Sequence, residues 1–288
     1  MTYLKKTGFL LGVALIFIST ACTKKFLDTD LERAVRENEE EIVAFLQNKN
    51  LSGYTKTASG IHYNVTTKNA TGKSVELGEE VKLYYKLALL NGSIVDTVLT
   101  GDPFSFGYYS GFVFDGFLES VSLLKEGEKG TFLIPASQAF QGQASQQAPA
   151  WSVLKADIEV LSFRDEEEQI EAYVDKRDFE NVEITQTDLR FIPTTTVSGG
   201  TQLANGDQVV LKYKGTLLND VTFDEGEFTT TLGTNAVIPG FEEGLKKMKV
   251  GEKATIIFPS KIGYGDKGSG SIPPFSPLLF ELEVLSKR

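Results

Sequence analysis

The chain has 288 residues, 41% hydrophobic and 24% charged, with a formal net charge of −10, one histidine and one cysteine. This length suits about two domains of ordinary globular composition. The acidic balance excludes a basic nucleic-acid footprint, the lone histidine a multi-histidine metal site or histidine-based triad, and the lone cysteine an intramolecular disulfide.

Lys5 and Lys6 precede an uncharged stretch from Gly8 to Ile18, which ends in Ser19-Thr20-Ala21-Cys22. A basic start, an apolar run of this length and small residues at its end predict a secretory signal over residues 1–21. The run is shorter than the ~20 residues that span a bilayer. The position of Cys22 resembles a bacterial lipoprotein box, which implies a lipidated Cys22 as the mature N-terminus, although Ser19 stands where such boxes carry an aliphatic residue. Plain cleavage near Ala21, leaving a free thiol, is the alternative. Removal of residues 1–21 takes away Lys5 and Lys6 and no acid, so −10 becomes −12. A surface this acidic has no electrostatic hold on anionic lipid. Attachment to a membrane is therefore expected through Cys22 alone, with residues 22–36 as a tether.

Ile42, Phe45 and Leu46 follow Glu39-Glu40-Glu41 with helical spacing, and the acids are expected as a solvated first turn. Gly60–Val65 predicts a strand, with His62 on its surface. Val81, Leu83 and Tyr85 alternate as half-buried strands do. A short helix is predicted at Phe117–Leu124, and Leu154, Ala156, Ile158 and Val160 close the first half as a strand. The same elements then recur. Asp165-Glu166-Glu167-Glu168 leads into Ile170, Tyr173 and Val174, and a polar run, Thr194–Thr201, suggests an exposed connection. Val209/Leu211/Tyr213, a helix at Phe241–Met248 preceded by Pro239, and Leu278/Phe280/Leu282/Val284 complete the second half. Strands around one helix in each half indicate α+β.

The recurrence is arithmetical. An offset of 128 takes Ile42 to Ile170, Gly78 to Gly206, Leu83 to Leu211, Tyr85 to Tyr213 and Asp96 to Asp224. After a loop four residues longer in the first copy, an offset of 124 takes Phe104 to Phe228, Phe117 to Phe241, Pro135 to Pro259 and Leu161 to Leu285. One change of offset, confined to one loop, is the mark of duplication. The expected organisation is a first domain at 37–164, a connecting helix and linker at 165–205, and a second domain at 206–288.

In the second copy, Gly206–Leu217, Phe223-Asp224, Val237-Ile238-Pro239-Gly240-Phe241, Val250–Lys253, Tyr264-Gly265, Ile272-Pro273-Pro274 and Leu278–Leu285 stand in an order and spacing that resemble the FKBP-type peptidyl-prolyl cis-trans isomerase domain. The resemblance implies two tandem domains, each an antiparallel sheet wrapped around a short helix and preceded by a helix, with a pocket between sheet and short helix. It implies catalytic roles for Tyr213, Phe223, Asp224, Ile238 (through its backbone N–H) and Tyr264. Substrate contacts are implied for Phe228, Val237, Phe241 as the floor, Ile272 and Phe280. The implied substrates are Pro-containing polypeptides, with no cofactor and no metal. The Tyr264–Ile272 loop is one residue shorter than in the best-known members, which bears on substrate preference.

In the first copy Tyr85, Asp96, Phe104, Val113 and Phe117 match. Phe223 is answered by Val95, Ile238 by Phe114, Tyr264 by Phe140, Ile272 by Ala148 and Phe280 by Ala156. Phe114 is expected to fill part of the vacated space, and Trp151, the counterpart of Phe275, to cap the rim. A degenerate pocket with little activity follows. Three functions remain in play: an envelope prolyl isomerase acting through its second domain, a non-enzymatic chaperone or assembly factor that holds Pro-containing segments, and a structural accessory lipoprotein.

Overall fold

A computed structural model describes residues 19–145 and 147–288, with side chains from residue 30 onward. Most of the expected secretory signal and the Cys22 side chain therefore lie outside the described part. A 30-residue helix, α1 (Ser19–Asn48), opens it. Then come β1 (Thr55–Lys56), β2 (His62–Thr67), β3 (Glu80–Leu89), β4 (Ile94–Val98), β5 (Phe104–Gly107), α2 (Asp115–Ser122), β6 (Lys129–Ile134) and β7 (Leu154–Arg164). The second set is α3 (Glu166–Lys176), β8 (Glu183–Ile184), β9 (Arg190–Thr195), β10 (Gln208–Leu217), β11 (Thr222–Thr231), α4 (Pro239–Lys246), β12 (Lys253–Phe258) and β13 (Leu278–Lys287).

The first sheet runs β1-β2-β6-β7-β3-β4, with β5 also on β3, and the second runs β11-β10-β13-β12-β9-β8. All pairings in the second sheet are antiparallel. The α+β fold and its two-fold repetition are as the sequence implies. The longer loop of the first copy has a visible consequence: where the second copy has one continuous strand, β11, the first has β4 and β5 separated by residues 99–103.

The backbone repeats even where residue types differ. Left-handed positions recur at the two offsets, as in Gly60 and Asp188, Gly92 and Asp220, Gln141 and Gly265, and Trp151 and Phe275. Trp151 N donates to Gln141 O at 2.8 Å, and Phe275 N donates to Gly265 O at 2.9 Å.

In the second domain the sheet is covered on both faces. Ile256 and Phe258 of β12 belong to the main core with Leu245 and Phe241 of α4. Ile257 between them packs with Leu279, Ile192 and with Ile170 and Tyr173 of α3. Alternation sends successive side chains to opposite faces, so a strand buried on both sides reads as the unbroken apolar run Ala254–Phe258. α4 lies close over β12 because Gly240 and Gly244 face it. A Cβ on either would come within 2.6–2.7 Å of Phe258 or Ile256. Pro239 opens α4 at its first turn, where its missing N–H costs nothing. In the first copy, Ile42 of α1 packs with Leu133 and Val153, the counterparts of Ile170 and Ile257 for the first two.

Four expectations are corrected. The acids Glu39–Glu41 do not open a helix: α1 begins twenty residues earlier, and no acid lies in its first turn. Buried Ala34, Asn38 and Ile42, spaced by four, hold one face of it against the protein. Second, Glu166 and Glu167 open α3 as expected, under a capping box between Asp165 and Glu168, but they are not merely solvated. Glu166 accepts from Ser260 N and, at 2.6 Å, from Ser260 Oγ; burial pushes its carboxyl up despite those bonds. Glu167 pairs with Arg190, which is only 1% exposed and also donates to Asp188 O at 2.8 Å.

Third, His62 is buried, not a surface residue, because α1 covers its face of β2; its Nε2 lies 3.1 Å from Glu39. Burial works to raise the Glu39 carboxyl, but bonds to Lys56 and His62 outweigh it and hold it below the usual range. The offset of 128 maps His62–Glu39 onto Arg190–Glu167, so each copy ties its leading helix to the sheet with an acid–base pair at one equivalent place. Fourth, part of the segment expected as linker, including Thr194 and Thr195, forms β8 and β9, and β9 pairs with β12. Arg190, Phe191 and Ile192 are all buried, which hides the period-two signal.

Removing one partner of a buried ion pair leaves the other uncompensated. Glu167→Ala should therefore lower unfolding free energy by about 3 kcal/mol, the low end of that class because Glu167 is half-exposed. Chemical denaturation against Glu171→Ala, an exposed acid of the same helix, checks this; equal midpoints for the two variants would refute it.

Candidate active site

The floor of the second domain's concave side is the Phe241 ring, carried into the core by α4 and 3% exposed. Its neighbours come from three strands. Phe280 of β13 meets it edge-on at 4.9 Å, Tyr213 of β10 at 6.1 Å, and Phe228 of β11 lies at 6.0 Å. Phe223 stands edge-on to Phe280 at 5.5 Å. Edge-to-face contacts at these separations lock ring orientations beyond simple burial. Gly215 of β10 makes the wall possible, since a Cβ there would lie 2.5 Å from Phe223 and 2.8 Å from Phe280.

The polar groups are few and placed. Tyr213 Oη donates to Asp224 Oδ2 at 2.7 Å. Burial, the Asp224 carboxylate and the nearby Tyr264 together push the Tyr213 hydroxyl up to about 12. It therefore keeps its proton at any working pH, and the pair presents a carboxylate oriented by a phenol. Ile238 precedes α4 with extended backbone, its carbonyl accepting from Glu242 N at 3.1 Å. Tyr264 is 37% exposed. It enters a tight loop closed by paired bonds between Ser269 and Ile272, each 2.9 Å.

All ten residues implied for this copy line one depression of about 1610 Å³: Tyr213, Phe223, Asp224, Phe228, Val237, Ile238, Phe241, Tyr264, Ile272 and Phe280. Sequence reasoning missed its other side, formed by Glu183–Thr187 and by Glu242, Glu243, Lys246 and Lys247 of α4 and its C-terminal end. The strand expected at Gly60–Val65, moved by 128, falls on residues 188–193 and so points to β9 rather than to Glu183–Thr187.

One model, that of the FKBP-type peptidyl-prolyl cis-trans isomerases, matches residues 71–161 and 199–285, more than half of the chain. The chain belongs to this family. FK506-binding protein 2 of Emericella nidulans is 44% identical over 86 residues, 28% of this chain and 64% of that protein. The FK506-binding protein of Neisseria meningitidis is 39% identical over 92 residues, 30% and 84% respectively. Human peptidyl-prolyl cis-trans isomerase FKBP9 is 27% identical over 238 residues, 80% of this chain but only 38% of that protein. The chain thus spans little more than a third of the length of the FKBP9 relatives. Among solved structures, FkpA from Escherichia coli is 31% identical, covering 43% of this chain and 59% of that one, with a TM-score of 0.39.

The first FKBP-type domain is built differently at the same places. Tyr85, Phe104 and Phe117 meet edge-on at 5.4 and 5.5 Å, and Phe114 stands 5.7 Å from Phe117. Two rings not expected from sequence join them: Phe106 and Phe112 stack nearly parallel at 6.0 Å, and Phe112 lies 6.4 Å from Phe104. Their counterparts are Thr230 and Ala236. Buried Leu87 stands at the place of Gly215, facing the positions where Val95 and Ala156 replace two rings. Small has become large and large small at these places. Asp96 is exposed, and Phe140 is 36% exposed. The Trp151 ring lies against Gly142, and its carbonyl accepts from Asn38 at 3.0 Å. Its counterpart Phe275 is not among the residues lining the second domain's depression.

The Tyr213 hydroxyl gives a pH prediction. A group whose folded pKa is raised contributes stability below its unfolded value, ~10 for tyrosine, and loses it as pH rises through about 12. Ultraviolet titration should show a tyrosine ionising near pH 12 that disappears in Tyr213→Phe. An unchanged alkaline curve in the variant would refute the assignment.

Proposed function

We propose that the protein is a peptidyl-prolyl cis-trans isomerase of Pro-containing polypeptides, acting mainly through its second domain. The observation that carries this is the convergence of Phe241, Tyr213, Phe280 and Phe223 with the Tyr213–Asp224 pair in one depression. Rotation about a peptide bond meets a barrier of ~18–20 kcal/mol from its double-bond character, and uncatalysed exchange at X–Pro takes tens to hundreds of seconds. No bond is broken, so no nucleophile or general base is needed. The twisted amide has lost resonance and is less polar than the planar one, so an apolar ring-lined cavity penalises it less. Fixed groups that meet the twisted amide better than the planar one add to the difference. In this reading the proline ring rests on Phe241 between Tyr213 and Phe280. Ile238 N–H and the Tyr264 hydroxyl take substrate carbonyls, and Asp224, held by Tyr213, faces the turning amide.

The first domain reads as a non-catalytic module that positions the second or holds a client, because Leu87, Phe106 and Phe112 occupy places that are small in the second copy. The setting we infer is a bacterial cell envelope, with the chain anchored by lipid on Cys22 and acting on exported proteins as they fold. The leader-like residues 1–21 and the acidic composition support that setting. Among the described residues no helix is long and apolar enough to cross a membrane.

Two experiments test these readings. In a protease-coupled prolyl-peptide assay, Phe241→Ala and Asp224→Ala should each lower kcat/KM about tenfold or more, roughly 1.4 kcal/mol of transition-state stabilisation. Phe117→Ala should leave it within about twofold. Phe241→Ala should also cost about 3–5 kcal/mol of stability, whereas Asp224→Ala should melt nearly as the parent does. A loss confined to Phe117→Ala would assign activity to the wrong copy. For the anchor, Cys22→Ser should release the protein from membranes or leave it unprocessed, and only the parent should take up a fatty-acid analogue. A processed, unlabelled variant that still sediments with membranes would refute attachment through Cys22.

A further inference from the structure

The depression around Phe241 does not end at the rings. It continues as one volume along Glu183–Thr187 and past Lys246 and Lys247, and its 1610 Å³ exceeds the about 300–1,000 Å³ of sites that enclose a small ligand. A single prolyl residue leaves most of it empty.

The chemistry of the added part points to main chain. β8 is the edge strand of the second sheet. Thr185 N donates to Leu189 O at 3.0 Å and Asp188 N to Thr185 O at 3.1 Å, closing the β8–β9 turn. Thr185 thus turns both main-chain groups toward β9, its N–H to Leu189 and its carbonyl to Asp188, and the next pair, Ile184 with Arg190, is a non-hydrogen-bonded one. In an antiparallel ladder such a residue turns its N–H and C=O away from the partner strand. Ile184 thus offers a donor and an acceptor at the open edge, beside a side chain that is 60% exposed.

Four of the five charges of this part pair off, and the fifth, Glu243, is met by a neutral hydroxyl. Glu183 pairs with Lys247 and Glu242 with Lys246, both at 2.6 Å, and Glu243 accepts from Thr187 Oγ1 at 2.7 Å. Lys247 Nζ also lies 5.5 Å from the centre of the Phe191 ring. What remains for a ligand is peptide edge, an apolar side chain and the Glu243 carboxylate, and the first two are the equipment for adding a strand.

We propose that the segment of substrate flanking the proline binds here as an extended strand along the free edge of β8, with a side chain against Ile184, while the proline sits on Phe241. The occupant follows from continuity, because the groove opens from the pocket that takes the proline. The proposal rests on the isomerase reading and narrows its substrate class to unfolded chain longer than the prolyl dipeptide and its immediate neighbours.

Two variants separate its parts in the full chain: Ile184→Pro removes the outward N–H, and Ile184→Asp keeps it but places a charge on the apolar wall. Each is assayed on a prolyl tetrapeptide and on a reduced, carboxymethylated protein whose refolding waits on one prolyl bond. Binding is followed by anisotropy of a labelled peptide of about fifteen residues with a central proline, long enough at about 3.3 Å per residue to leave the pocket extended. Both variants should keep tetrapeptide kcat/KM within about twofold while losing about tenfold on the unfolded protein and on long-peptide affinity, the scale of one or two net hydrogen bonds. Equal losses on both substrates, or no loss on either, would overturn the groove while leaving parental tetrapeptide turnover, and so the isomerase reading, intact. If the parent turned over neither substrate, the isomerase reading would fall and anisotropy alone would decide: unchanged long-peptide affinity in both variants overturns the groove, and weakening in both supports it.

Discussion

The close approach of α4 to the second sheet governs the geometry of the site. Gly240 and Gly244 face Phe258 and Ile256 with no room for a Cβ, so the helix axis is drawn in against β12. Phe241, between them in sequence, is then carried to the centre of the concave face within ring contact of three strands. A helix held further off would lift that ring and separate it from Tyr213, Phe228 and Phe280. The wall has a matching requirement on the strand side, where Gly215 leaves space for Phe223 and Phe280. The cavity is thus made by absent side chains as much as by the rings that line it.

The repeat shows what the fold demands and what the site demands separately. Positions with left-handed backbone recur in both copies whether glycine, aspartate, glutamine or an aromatic occupies them. The join between leading helix and sheet recurs as well, with His62 and Glu39 in one copy and Arg190 and Glu167 in the other. A second tie recurs beside it: Asn38 Oδ1 accepts from Ala136 N at 2.8 Å where Glu166 accepts from Ser260 N. Backbone and anchoring are therefore common to both domains. The concave face is where they part, with Leu87, Phe106 and Phe112 standing for Gly215, Thr230 and Ala236.

Thr230 marks the same divergence from the other side. Its hydroxyl is buried and has no hydrogen-bond partner, a condition that costs stability, whereas the first copy places Phe106 there within a stacked ring cluster. Among the described residues the unsatisfied group falls in the copy with the open, ring-lined depression.

By itself the sequence determined the two-fold repeat, the α+β class and the place of the loop insertion, and its resemblance to the FKBP-type domain implied ten of the residues that line the depression. The first three are written in spacing, as period two in Val209/Leu211/Tyr213 and a change of offset at one loop; the site residues came through the resemblance. It did not disclose the burial of His62 or the work of Glu166 and Glu167, because a polar residue at a helix start or on an alternating strand has the same local signature whether water or another element covers it. Nor did it disclose β8 and β9 as part of the sheet, since Arg190-Phe191-Ile192 is buried throughout and loses its alternation. Leu87 and Phe112 were illegible for a related reason: each is an ordinary apolar residue in its own segment. Only the tertiary structure, by burying Leu87 at the place of Gly215 and by running the pocket on toward the edge of β8, decided how the two concave faces differ and how far the open one extends.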